Sequence, residues 1–229
     1  MTRLIYEGKT KDVYENSNGS YTLKFKDMAT GRDGVFDPGE NRAEICIDGL
    51  GRASLLMSVY YFEIFKAAGI STHYIDCDIN SGTMQVLPAR MFGKGVEFIC
   101  RCRADGSFLR RYGAYISSGA PLHYLVETTL KDDERQDPPI TKETLAQLGI
   151  MSVTDFDICV ALTEKITKII EEDLREKGFE LYDIKYEFGM SKDKGDVVML
   201  VDEISAGSMR VYKDGKLVPP MELCSVIIR

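Results

Sequence analysis

Two carboxylates near the C-terminal end of the chain stand where a half-buried strand should be apolar. Residues 182–205 read as a hairpin, two β-rich runs on either side of a polar turn at Lys194-Gly195. Successive strand side chains alternate, so Lys185 and Glu187 share one face, and Leu200 and Asp202 share a face of the partner run. A turn centred on Lys194-Gly195 sets Glu187 opposite Asp202. Carboxylates so placed repel each other unless a cation lies between them. One or two carboxylates, with water and phosphate filling the remaining positions, suit Mg2+ beside a nucleotide. The plain alternative is an acidic hairpin whose charges face water.

Anion-binding chemistry is suggested in three other stretches. Residues 3–14 read as strand, glycine loop, strand, with Gly8 allowing a close backbone approach and Lys9 and Lys11 adding charge; a simple hairpin turn is the competing reading. In 21–27 apolar and basic residues alternate, which makes Lys24 and Lys26 neighbours on one strand face. In 96–113 Arg101 and Arg103 share a strand face opposite Phe98, Cys100 and Cys102, the strand breaks at Asp105-Gly106, and Ser107 is placed to cap a short helix. Strand arginine, glycine turn and a hydroxyl at a helix N-terminus form an anion pocket, or else an ordinary cap beside a solvated arginine.

These residues need elements to position them. Residues 52–68 carry apolar side chains at helical spacing and end at Gly69. Ser152 and Asp155 open a long amphipathic helix whose apolar face is Ile158, Leu162, Ile166, Ile169 and Ile170, closed by Lys177-Gly178. Elsewhere, 29–42 reads as a long loop, 72–78 and 83–92 as strands with Pro88 marking an exit from the sheet, and 130–139 as a charged, solvated loop. The order predicts an α+β fold of two lobes: an antiparallel-sheet N-terminal lobe, 1–90, and a larger α+β C-terminal lobe, 91–229.

Composition narrows the function. With 229 residues, 44% hydrophobic and 28% charged, the chain is an ordinary globular protein, and a net charge of -7 gives no basic footprint for nucleic acid. No signal-like or membrane-spanning run is present, so a cytoplasmic protein with no membrane partner is expected. The six cysteines lack a CxxC spacing and are expected reduced; His73 and His123, the only histidines, lack zinc spacing.

Five phrases, YEGKTKDVY (6–14), CRCRADGSFLRRYG (100–113), LKDDERQDPP (130–139), YDIKYEFG (182–189) and VDEISAGSMRVY (201–212), resemble in order and separation the motifs of the SAICAR synthetase family. The resemblance spans essentially the whole chain. It implies a two-lobed α+β enzyme, distantly like kinases and ATP-grasp proteins, with ATP in the cleft between the lobes. The implied reaction joins L-aspartate to the carboxylate of carboxyaminoimidazole ribonucleotide (CAIR) through an acyl phosphate, releasing ADP and phosphate, in purine biosynthesis. Matched by position, Gly8, Lys9, Lys11 and Lys24 fall on the ATP side. Glu187 and Asp202 match the Mg2+ carboxylates, and Lys185 stands with them as catalytic. Arg101, Ser107 and Arg210 match the groups that hold the ribose phosphate, and Lys131 and Asp137 match a segment lining the substrate pocket. A homo-oligomer is likewise implied.

The chain departs from the family pattern in places. Asp105 replaces a small residue two places before Ser107, where it would oppose a phosphate unless Arg103 or Arg111 pairs with it. Residues 49–56 read GLGRASLL where a pair of asparagines is usual, and a C-terminal helix is expected to be short or absent. Two alternatives therefore stay beside the leading one: an amide ligase acting on another carboxylate, and a nucleotide-binding protein or kinase-like phosphotransferase without ligase activity.

Overall fold

The alternating N-terminal residues fold as an antiparallel meander in the computed structural model, which describes residues 2–40, 42–191 and 195–228. β1 (Arg3–Glu7), β2 (Lys11–Glu15) and β3 (Tyr21–Phe25) pair in sequence, and Leu23 and Phe25 turn to the core. The stretch expected as one loop carries two short ladders instead. They are formed by β4 (Met28–Ala29), β5 (Gly31–Arg32), β6 (Val35–Phe36) and β7 (Ile45–Cys46), with β4 on β7 and β5 on β6. Next come α1 (Leu50–Ala67), β8 (Tyr74–Asp78) and β9 (Thr83–Val86), which complete a sheet of order β1-β2-β3-β9-β8.

α1 begins at Leu50 because the Asp27 carboxylate accepts the N–H groups of Gly49 (3.1 Å) and Gly51 (2.8 Å), an anion on the donors that every helix start leaves unpaired. A side chain on Gly51 would lie 2.9 Å from the Lys26 carbonyl, so this glycine lets the helix rest on the chain leaving β3. The GLGRASLL segment is thus spent on the start of a helix. Its buried face includes Leu55, Met57, Tyr61, Phe62 and Phe65, and Phe62 stacks on Tyr74 at 5.6 Å.

The remaining elements are β10 (Ala89–Met91), β11 (Val96–Arg103), α2 (Gly106–Tyr112), β12 (Pro121–Leu130), α3 (Lys142–Gln147), α4 (Val153–Glu176), β13 (Glu180–Ser191), β14 (Val197–Val201), β15 (Met209–Lys213), β16 (Lys216–Leu217) and α5 (Pro220–Ile227). The second sheet has the order β12-β11-β13-β15-β16, and β10 and β14 also pair with β13. β13 and β14 are the two arms of the expected hairpin. Lys194 of its turn lies outside the described residues, and Gly195 has φ 73°. The chain divides into two units, Met1–Arg90 with Met190–Gly207 and Pro219–Arg229, and Met91–Gly189 with Ser208–Val218. Where a single cut near residue 90 was expected, two later segments return to the first unit. Leu200 exchanges backbone bonds with Ser71 (3.0 Å) and His73 (2.9 Å), and α5 packs on α1, Cys224 against Met57.

In the second unit α4 starts where expected, with Ser152 Oγ accepting the Asp155 N–H. Its buried stripe is Cys159, Thr163, Ile166, Thr167, Ile170 and Leu174, whereas Ile158 is exposed. Hydroxyls explain the rotation of this stripe from the expected face. Thr167 Oγ1 bonds both the Thr163 carbonyl (2.7 Å) and the Tyr186 hydroxyl of β13 (2.9 Å), so a threonine is satisfied where periodicity favours an isoleucine.

His73 has a measurable consequence. It is buried, its ring faces the edge of Phe62, and Nε2 bonds the Asp202 carbonyl at 2.9 Å. Burial lowers its pKa from 6.5 to about 4, more than the nearby Asp202 raises it. The unfolded chain therefore binds the extra proton first, and stability present above pH 6.5 is lost as pH falls toward 4, by roughly 3 kcal/mol in total. Urea unfolding of the metal-free protein across this window should show that slope, and His73→Gln, which keeps an N–H donor but does not titrate, should flatten it.

Candidate active site

Charges alternate along buried strands of the second unit, and strand register brings them together. On β13, Asp183, Lys185 and Glu187 share one face; on the neighbouring β11, Glu97 lies opposite Glu187, Ile99 opposite Lys185 and Arg101 opposite Asp183. Glu97 and Glu187 are both buried. Lys185 Nζ bonds Glu97 Oε1 at 2.7 Å, Thr129 Oγ1 of β12 bonds Glu97 Oε2 at 2.8 Å, and Lys131 Nζ bonds Glu187 Oε1 at 2.6 Å. Burial works to deprotonate Lys185, but Glu97 and then Glu187 outweigh it and raise its pKa. Lys185 is therefore a fixed cation at neutral pH and not a base.

A second cluster joins three of the expected residues around an acid the sequence analysis did not single out. Asp183, 3% exposed, accepts from Arg101 Nη1 at 3.0 Å and from Arg210 Nη1 at 3.0 and 2.9 Å. Arg101, itself 1% exposed, also donates to Glu127 (2.5 Å) and to Ser107 Oγ (2.9 Å). Arg101, Ser107 and Arg210 are thus held in one network. Burial, the largest influence, lifts the Asp183 carboxyl above its usual range, and the two guanidiniums pull it back.

Ser107 does not cap α2. The N-cap is Asp105, whose carboxylate accepts the Gly106 N–H at 2.7 Å, while Ser107 sits in the first turn. The other oxygen of Asp105 accepts from the Tyr212 hydroxyl at 2.7 Å. Neither expected arginine is drawn to it: Arg103 pairs with Glu180 and the Gly119 carbonyl, and Arg111 with Glu127. Gly106, at φ 52°, lets Arg210 lie against the backbone, since a Cβ there would stand 2.6 Å from its Cζ.

In the first unit Gly8 and Lys9 form the loop between β1 and β2, closed by Gly8 N–H to the Lys11 carbonyl at 2.9 Å. Lys24 faces solvent on the sheet. Lys26 is the cation that reaches the loop, bonding the Gly8 carbonyl at 2.9 Å and pairing with Asp12 at 2.5 Å, while its N–H bonds the Thr10 carbonyl at 2.8 Å. Lys11 instead points to the acids after β14: its ammonium pairs with Asp202 at 3.0 Å and with Glu203. β14 ends at Val201, and Asp202 has φ 67°. Asp202 therefore does not share a strand face with Leu200, and the expected alternation across the hairpin does not hold at this residue. Asp137 Oδ1 accepts the Asp132 N–H at 2.7 Å and shapes its own loop.

Among the described residues no three His, Cys, Asp or Glu side chains converge as a metal cage. Glu187 and Asp202, however, each already engage an ammonium ion, Lys131 and Lys11 respectively. Each is by itself a hard oxygen donor of the kind that Mg2+ takes alongside phosphate and water.

Buried acids and bases held in mutual compensation on a sheet face are an arrangement in which α+β enzymes position charge for a ligand. Comparison with known proteins specifies which. The SAICAR synthetase family profile matches residues 4–220. A phosphoribosylaminoimidazole-succinocarboxamide synthase of Clostridium tetani is 53% identical over 98% of this chain and 99% of its own. A solved SAICAR synthetase superposes with a TM-score of 0.80 at 35% identity, covering 93% of this chain and 87% of that one. Another, in complex with ADP, gives 0.80 at 28% identity over 93% and 86%. The chain belongs to the SAICAR synthetase family.

Asp183 is predicted to hold its unit together. Asp183→Asn keeps the shape but leaves Arg101 and Arg210 without their shared counter-charge, and removing one partner of a buried ion pair costs about 3–5 kcal/mol. Chemical denaturation should register a loss of that order.

Proposed function

We propose that this chain joins L-aspartate to the carboxylate of CAIR at the expense of ATP, releasing ADP and phosphate. The single observation that carries the reading is the 53% identity to the Clostridium tetani synthase over 98% of this chain; the neighbour solved with ADP supports the nucleotide. Family likeness extends it to Mg2+ as the metal and to a homo-oligomer working in the cytoplasm. No helix among the described residues is long and apolar enough to cross a membrane.

The chemistry follows from the weakness of a carboxylate as an electrophile. Transfer of the γ-phosphoryl group breaks its bond to ADP and forms an acyl phosphate. The aspartate amine then attacks the acyl carbon, the carbon–oxygen bond to phosphate breaks, and the amine sheds a proton to water. In this reading the first unit takes the nucleotide, with Gly8 and Lys9 against the phosphates and Lys26 holding the loop in shape. Lys24, exposed on the sheet, contributes through its charge alone. The second unit takes the substrate. Arg101, Ser107 and Arg210 receive the ribose phosphate, Lys131 and Asp137 border the substrate, and Lys185 stabilises charge developing at the acyl centre. The Glu187 and Asp202 carboxylates would hold Mg2+, which would supply neutralisation of phosphate charge. Positioning and charge neutralisation suffice for phosphoryl transfer, so no nucleophilic side chain is needed.

Coupled ADP release should require both L-aspartate and CAIR. Release with aspartate and a different acid, and none with CAIR, would select the divergent ligase; release with neither would select a phosphotransferase. Asp202→Asn and Lys185→Met should each lower kcat about a hundredfold or more with the fold retained by circular dichroism. Ser107→Ala should raise the KM for CAIR by roughly ten- to a hundredfold at unchanged kcat, the loss of one hydrogen bond to a charged group. An equal loss in kcat would move Ser107 out of the binding role.

A further inference from the structure

Lys11 is matched to a phosphate-binding lysine, yet its ammonium is occupied elsewhere. It lies between Asp202 Oδ1, 3.0 Å away, and Glu203 Oε1, with its side chain 10% exposed. Glu203, also 10% exposed, accepts in addition from Thr10 Oγ1 at 3.3 Å, whereas Asp202 is 31% exposed. The backbone that presents the acids is pinned on both sides. His73 Nε2 bonds the Asp202 carbonyl at 2.9 Å, and Ser58 Oγ of α1 bonds the Ile204 N–H (3.3 Å) and carbonyl (3.1 Å). The left-handed backbone at Asp202 breaks strand alternation and turns two consecutive carboxylates toward the same cation.

The two acids are not equivalent. Glu203 is enclosed and shares Lys11 with the loop threonine, so it serves as the anchor. Asp202 is the more exposed of the two, so a solvated ion meets it first. A dication bound at ~2.1 Å from the Asp202 carboxylate would stand within ~5 Å of the ammonium, where like charges repel strongly.

We propose that Lys11 is the resident counter-cation of Asp202, anchored by Glu203, and that it competes with a divalent cation for that carboxylate until nucleotide phosphate offers the ammonium another partner. This deepens the metal reading of Asp202 given above and rests on it. Metal and nucleotide then bind cooperatively, because each removes an obstacle to the other. Glu203 is a positioning residue that keeps Lys11 beside the site after the exchange.

The test is Mn2+ binding to the full chain, read from the electron paramagnetic resonance signal of free Mn2+, with and without ADP. Without nucleotide, Lys11→Met should bind Mn2+ about tenfold or more tighter than wild type, and the gain in Mn2+ affinity on adding ADP should shrink by a similar factor. Removing one partner of an enclosed pair endangers folding. The double variant Lys11→Met/Glu203→Gln removes both, the milder change, and should also bind Mn2+ more tightly than wild type although it has lost a negative charge. Unchanged or weaker Mn2+ binding in both variants, with binding lost in Asp202→Asn, would overturn the competition while leaving the metal reading in place. Mn2+ and ADP bound to Asp202→Asn as tightly as to wild type would overturn both.

Discussion

A charge taken out of water must find its opposite within hydrogen-bond reach, and the second unit is arranged around that constraint. Along β11 and β13 the residues that face one another carry Glu97, Arg101, Asp183, Lys185 and Glu187, in a region where most side chains are buried. Removal of any one strands its partner, since the desolvation already incurred is no longer offset. The neighbouring strands serve the same end: Thr129 and Glu127 of β12 satisfy Glu97 and Arg101, and Arg210 of β15 satisfies Asp183. Antiparallel register, which places these residues opposite one another, therefore shapes the site as much as the residues themselves.

Compensation also decides protonation. Lys185 and Lys11 are buried among carboxylates that raise their pKa values, so each stays an ammonium ion across the neutral range. Such groups stabilise negative charge and cannot take protons. That suits phosphoryl transfer to a carboxylate oxygen, which has no proton to lose, better than transfer to a hydroxyl, which needs a base. The raised pKa values thus exclude these two lysines as the base that transfer to a hydroxyl would need, and are compatible with transfer to a carboxylate.

Much of this was legible in the sequence. The glycine loop between two strands, the start of α4 at Ser152, and the shared face of Lys185 and Glu187 follow from local rules of alternation and capping, whereas the cap of α2 is Asp105 and not the expected Ser107. Glu97 and Asp183 were visible in the same alternation, each an acid two or four places from an expected site residue. Only the register between strands shows that they are buried and paired, and register is a long-range property. Asp202 escaped for the converse reason: its positive φ, on backbone tied to His73 and, two residues on, to Ser58, is something no period-two pattern encodes. Lys24 and Lys26 share a face, and the tie to Gly8 depends on the closure of the loop and not on that face.

The departures from the family pattern bear on which acid is activated, and their surroundings argue against a changed substrate. Asp105 opposes a phosphate only if its charge is directed at one. Both its oxygens are engaged, one by the Gly106 N–H at the start of α2 and one by the Tyr212 hydroxyl, whose ring stacks on Tyr182 at 3.9 Å. The carboxylate is thereby turned into a brace for the helix that presents Ser107. The glycines of residues 49–56 likewise donate their N–H groups to the Asp27 carboxylate and let α1 lie against Lys26, the residue that ties down the glycine loop. Both departures act through backbone support. A change of substrate would instead have to alter the groups that meet it, and Arg101, Ser107 and Arg210, proposed above for that part, stand in one network.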